Sequence, residues 1–243
     1  MSHEPLAAIA ADVVRCRACP RLVAWRERVA REKRRAYREE AYWGRPVPGF
    51  GDARAWLLLI GLAPGAHGAN RTGRMFTGDG SGDFLYAALH RAGLASQPAA
   101  TRRGDGLELR GAFVTAACRC APPGNRPSRV ELERCAPFLD RELMALPGVR
   151  VVLCLGSIAW QAALSALRRR GFALPRPMPR FGHGAELRLP GAPLLLASYH
   201  VSRQNTQTGR LTPAMFDQVL IRATGGSSTG WGARPSLEKE DAM

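Results

Sequence analysis

Four short apolar runs punctuate the middle of the chain: "AWLLLI" from Ala55, "GAFVTAA" from Gly111, "VRVVLCLG" from Val149 and "APLLLASYH" from Ala192. Each looks like a buried strand, and segments of helical pattern lie between them. That alternation predicts an α/β fold with a parallel sheet flanked by helices. Ahead of the first run, Leu6, Ile9, Ala10, Val13 and Val14 recur at helical intervals, so an amphipathic helix should open the chain and deliver Cys16 and Cys19 at its end. The charged stretch that follows, "RLVAWRERVAREKRRAYREEAYW", is read as helical too, with a solvated basic face. Ser128 stands three residues before Glu131 in a capping box, with Leu132, Cys135, Ala136 and Leu139 following on one face. Thr212 and Pro213 mark the start of the last helix. Residues 1–223 form one domain on this reading, and the Gly, Ser and charged residues of 224–243 predict a disordered tail.

In open parallel sheets, ligands bind at the carboxyl ends of the strands. Four loops converge there, beginning with "GLAPGAHGANRTGRMFTGD" after the first strand and "CRCAPPGNRP" after the second. The "GSIAW" turn and "HVSRQNTQTGR" complete the set. Asp79, Asn125 and His200 are thereby expected near one another. The first loop raises the question of what needs so much glycine, since glycine lets a ligand approach the backbone closely. Phosphate is an obvious suspect, yet the loop has neither a P-loop ending nor dinucleotide glycine spacing.

Charge narrows the partners. The 243 residues carry 35 Lys and Arg against 20 Asp and Glu, a formal net charge of +15. Such an excess points to a polyanion, although a GC-rich genome also raises arginine. No stretch approaches the roughly 20 apolar residues of a membrane span, and the first residues lack a secretory pattern, so a cytoplasmic protein is expected. Six cysteines in a reducing compartment suggest metal or cluster ligation rather than disulfides. Cys16 and Cys19 form a C-x-x-C pair, while Cys120 and Cys135 bracket the loop "APPGNRPSRVELER". Four converging thiolates suit zinc or an iron–sulfur cluster equally, and spacing alone leaves both open. Cys118 alternates with Cys120; if both lie in a strand they point to opposite faces, so only one reaches the site, and Cys120 is chosen. Cys154 reads as a core residue.

The glycine-rich loop, the four-cysteine pattern and "SYHVSRQNTQTGRLT" together resemble the uracil-DNA glycosylase superfamily, most closely its family-5 or B-type iron–sulfur branch. The resemblance runs from about Ala10 to Arg222. It implies a three-layer α/β/α sandwich with a central four-stranded parallel sheet, a [4Fe–4S] cluster on Cys16, Cys19, Cys120 and Cys135, and excision of uracil or related deaminated bases from double- or single-stranded DNA. Its essential acid matches Asp79 and its polar base-contacting residue matches Asn125. Other branches carry a polar or acidic residue where this chain has Ala63, and family-4 enzymes an asparagine where it has Ala116. Loss of that asparagine should broaden the substrate range to bases such as hypoxanthine or xanthine, because fewer directed hydrogen bonds reject the wrong base.

On this resemblance, Asp79 orients water and stabilises a cationic sugar, while His200 donates a hydrogen bond to the departing pyrimidine. Gly65 and Ala66 would bring backbone amides to the flipped base, and Phe76 would stack on it. Ser202 would hold a phosphate, with Arg203 or Gln204 filling the gap in the duplex. The enzyme is expected to act as a monomer. Asp79 also suits a helix cap, Phe76 a core position, and Asn125 a proline-flanked turn. A zinc- or cluster-bearing module that merely coats DNA through its arginines is the rival, and would require neither Asp79 nor His200.

Overall fold

A computed structural model describes residues 5–225. Helices α1 (Leu6–Arg15) and α2 (Pro20–Glu32) precede strands β1 (Phe50–Gly51) and β2 (Leu57–Gly61), and the short α3 (Ala69–Thr72) leads to α4 (Gly80–Arg91). Next come β3 (Ala112–Ala116), α5 (Arg129–Ala145), β4 (Val151–Leu155) and α6 (Ser157–Arg169). The chain continues through β5 (Glu186–Leu187), β6 (Leu194–Ser198), α7 (Arg203–Gln207) and α8 (Pro213–Thr224).

All four apolar runs are strands, and they pair in parallel in the order β3-β2-β4-β6. The sheet is larger than the expected four strands. It has six, because β1 and β5 add short antiparallel edges to β3 and β6. Neither two-residue edge carries a readable period, since strand alternation needs more residues to show.

Both faces of the sheet are covered, which is why its strands are apolar throughout. Leu57 and Leu59 of β2 join Leu85 and Leu89 of α4 and Phe216 and Leu220 of α8 in one core. Leu58 and Ile60 point the other way, into a second core with Leu139 and Leu143 of α5 and Trp160 and Leu164 of α6. The result is the three-layer α/β/α arrangement, and Cys154 is fully buried within it.

The predicted helix starts hold. Ser128 accepts from the Glu131 N–H while Glu131 accepts from the Ser128 N–H, and Thr212 caps α8 by accepting from the Met215 N–H. The charged stretch departs from expectation. Helix α2 stops at Glu32 because Lys33 adopts a left-handed φ of 54°, and only a single 3-10 turn, Arg35–Tyr37, follows. Helix propensity there is outweighed by tertiary contacts, for Trp43 and Gly44 donate to the Arg71 and Asn70 carbonyls of α3 and draw the segment out. Most of the expected tail lies outside the described residues, although α8 runs on through Thr224. Among the described residues no helix is long and apolar enough to cross a membrane.

A buried ion pair ties the end of β3 to α5. Arg119 donates through both Nη atoms to Glu142, at 3.0 and 2.6 Å, and Thr115 Oγ1 donates to the same carboxylate at 2.7 Å. Arg119 and Glu142 are 1% and 2% exposed, so neither charge can recover water if its partner is lost. Glu142→Ala should therefore cost about 3–5 kcal/mol in urea unfolding. A loss below about 1 kcal/mol would mean that water reaches Arg119.

Candidate active site and the sulfur-lined cavity

The chain moves from β2 to β3 on one side and then to β4 on the other, so a crevice opens at the carboxyl ends of β2 and β4. Asp79 stands there as the N-cap of α4. Its Oδ1 accepts from the Ser81 and Gly82 N–H groups at 3.0 and 3.2 Å, which satisfies donors a helix start leaves open. Oδ2 lies against the glycine-rich loop and accepts no hydrogen bond from the described residues. A Cβ on Gly68 would fall 1.8 Å from Oδ2, and one on Gly65 2.7 Å from it. Burial raises the Asp79 pKa above its ordinary value, while the Gly82 and Ser81 N–H groups pull the other way.

Phe76 occupies the next glycine space. A Cβ on Gly61 would lie 2.6 Å from its Cζ, so the bare end of β2 is what lets the ring lie down. Its φ of 50° is uncommon for a bulky residue and is held by the loop around it. The glycines thus make room first for the protein's own carboxylate and ring. Gly65 and Ala66 are half-buried, and their N–H groups find no acceptor among the described residues.

His200 follows β6, its ring centroid 6.4 Å from that of Phe76 and its Cβ close over Gly156. Burial pushes its pKa down to about 4, so the imidazole is neutral at physiological pH and carries one donor nitrogen. The Asn205 side chain donates to the His200 carbonyl at 2.8 Å and braces the turn. Ser202 caps α7 by accepting from the Asn205 N–H. The exposed Arg203 lays its stem over Gly80, beside Asp79, and Gln204 is exposed on the same short helix. Asn125 is exposed at the tip of a 3-10 turn, Pro123–Asn125, with a φ of 57°. Its side chain bonds to none of the described residues, so the turn reading describes it as the chain stands. Asp83 faces solvent.

A second cavity is lined by Cys16, Cys19, Cys118, Cys120 and Cys135, with Arg26, Arg119, Arg134 and Glu131 as its charged residues. Cys118 belongs to this set, contrary to the strand-alternation argument. Strand β3 ends at Ala116, so the period-two rule does not extend to residues 118 and 120. Cys118 Sγ lies 3.5 Å from the Cys120 carbonyl, and the Arg119 N–H donates to Cys135 Sγ at 3.3 Å. Arg26 donates to Cys120 Sγ at 2.9 Å, and both of its Nη atoms approach the Cys16 carbonyl at 3.3 Å. All six cysteines are free thiols, and no group of three or more described His, Cys, Asp or Glu side chains stands ready to hold a single metal ion. Arg26 escaped the sequence reading, yet a signal was present: it interrupts the buried stripe Leu22, Val23 and Val29 of α2.

Residues 48–223 match the Uracil DNA glycosylase superfamily. The chain belongs to that superfamily. A Type-5 uracil-DNA glycosylase of Thermus thermophilus is 60% identical to it over 208 residues, which cover 86% of this chain and 92% of that protein. One from Mycobacterium tuberculosis is 54% identical over 209 residues, covering 86% and 76%. One from Pyrobaculum aerophilum is 44% identical over 211 residues, covering 87% and 88%. Ala116 is buried at the end of β3, and Ala63 packs beside Leu22 and Cys118.

A methyl group at position 68 would displace the Asp79 carboxylate from its seat. Gly68→Ala should lower the single-turnover release of uracil from a duplex about 100-fold, because small misplacements of a reacting group carry penalties of that order. Undiminished release would show that the seat does not matter.

Proposed function

We propose that this protein is a monofunctional uracil-DNA glycosylase of base excision repair, which acts as a monomer. It extrudes uracil, and other deaminated bases such as hypoxanthine or xanthine, from double- or single-stranded DNA and hydrolyses the N-glycosidic bond. The observation that carries the reading is a desolvated carboxylate with one uncommitted oxygen at the start of α4 and a neutral imidazole after β6, set against Phe76, in a chain of this superfamily.

Cleavage of the glycosidic bond builds positive charge on the sugar and negative charge on the departing base. Asp79 Oδ2 offsets the first and orients a water for attack, while the helix holds Oδ1 still. His200 donates from its neutral ring to the O2 of the leaving pyrimidine, where charge develops. Phe76 supplies a face for the base, and the unsatisfied amides of Gly65 and Ala66 meet its edge. Arg203 or Gln204 enters the gap, Ser202 approaches a phosphate, and Asn125 reaches the base only with DNA seated against its turn.

Asp79→Asn should abolish measurable release of uracil from an oligonucleotide, and His200→Gln should leave about 10²–10³-fold less than the parent. The pH profile carries a sign. Lowering the pH protonates Asp79 through a pKa above its ordinary 3.8, so kcat/KM falls on the acid side, whereas His200 remains neutral down to about 4. A rate that rose as the pH fell below 7 would require imidazolium and would sink this assignment.

Cys16, Cys19, Cys120 and Cys135 would hold a [4Fe–4S] cluster. The donor set fits, since thiolates are the ligands of such clusters and Arg26 already donates to one of these sulfurs. With its ligand positions filled, the cluster would supply structure rather than reactivity. It would clamp the end of α1 and the start of α2 to the Cys120 loop and α5. Purified protein should be brown and bleach with acid, Cys120→Ser should lose the colour, and Cys118→Ser should keep it. Bleaching by Cys118→Ser alone would move the ligand role to that residue, and colourless protein carrying zinc would replace the cluster.

A further inference from the structure

A cleft of about 620 Å³ lies between the first two helices and the segment through Trp43–Arg45. Arg15, Arg17, Arg31 and Arg45 line it against a single carboxylate, Glu27, and the buried Arg26 separates it from the sulfur cavity. Small residues keep it open: Gly44 sits against Ala30 so closely that a Cβ at Gly44 would come within 2.8 Å of the alanine methyl. Trp43 forms one wall, with the Arg45 guanidinium 5.8 Å from the centre of its ring system.

We propose that this cleft binds the phosphate backbone of the DNA outside the reacting nucleotide, a proposal that rests on DNA being the substrate. Two observations support it. Arg31 has no ion-pair partner among the described residues, and Arg45 engages only the Trp43 ring, so both exposed cations keep their capacity for a phosphate. The wall is also built into the catalytic loop, because Trp43 and Gly44 donate to the Arg71 and Asn70 carbonyls of α3, and the first residue before that helix is Gly68, which seats Asp79. A strand held in the cleft is therefore held to the same rigid unit as the active site. Contacts of this kind carry no sequence information; they add affinity and orientation.

The test is fluorescence anisotropy of the full chain on an undamaged duplex at several salt concentrations. Arg31→Gln and Arg45→Gln should each reduce the slope of log K against log salt by about 0.9, the value for one lost phosphate contact. Arg168→Gln removes the same charge from the last turn of α6, which does not line the cleft, and should leave the slope unchanged. Parent-like slopes in both cleft variants would overturn the proposal, as would an equal loss in Arg168→Gln, which would reduce the effect to net charge. Slope losses seen with an RNA duplex but absent with DNA would also overturn it. Because the duplex carries no lesion, binding is read independently of base release, so a failure here is distinct from a failure of the glycosylase reading.

Discussion

The carboxylate of Asp79 is held at both oxygens by different means, and the crevice is organised around that hold. Helix α4 claims Oδ1 through two backbone N–H groups, while Oδ2 rests where side chains at Gly65 and Gly68 would stand. A carboxylate so placed has lost water without gaining a salt bridge, which is why its proton affinity rises. The same loop puts Phe76 over Gly61 and turns its ring toward His200. Glycine here serves the close packing of functional side chains against the backbone, and what remains open is left for the base.

Around this crevice the molecule spends buried arginines on fixing loops. Arg119 meets Glu142 in a two-pronged contact inside the second core, and Arg26 reaches a cysteine sulfur and a carbonyl from the buried face of α2. Buried charges cost solvation; the Nη donors of both arginines are used, while the Nε of each finds no partner among the described residues. Both lie beside the Cys120 loop, so the sulfur-lined cavity and the sheet share one scaffold. Surface arginines supply the rest of the net charge of +15, and they suit a partner whose charge repeats along a chain.

The electrostatics of the two proposed reacting groups run in opposite directions from one cause. Desolvation disfavours any charge, so it raises the carboxyl and lowers the imidazole. At neutral pH the imidazole is left uncharged, a donor that need not lose a proton to assist a leaving anion.

The sequence by itself determined the four central strands, the helix starts at Ser128 and Thr212, and the membership of Cys16, Cys19, Cys120 and Cys135 in one sulfur-rich region, because apolar runs, caps and ligand spacing are local patterns. It also marked Asp79 and His200 as ends of elements facing one crevice. Only the tertiary structure decided that Asp79 is at once a helix cap and a group seated on glycine, since the spaces at Gly65 and Gly68 are filled by a side chain more than ten residues away. It alone brought Cys118 to the sulfurs, ended α2 at Lys33 and paired Arg119 with Glu142. Those outcomes depend on contacts between residues distant in the chain, and no periodicity within a single segment encodes them.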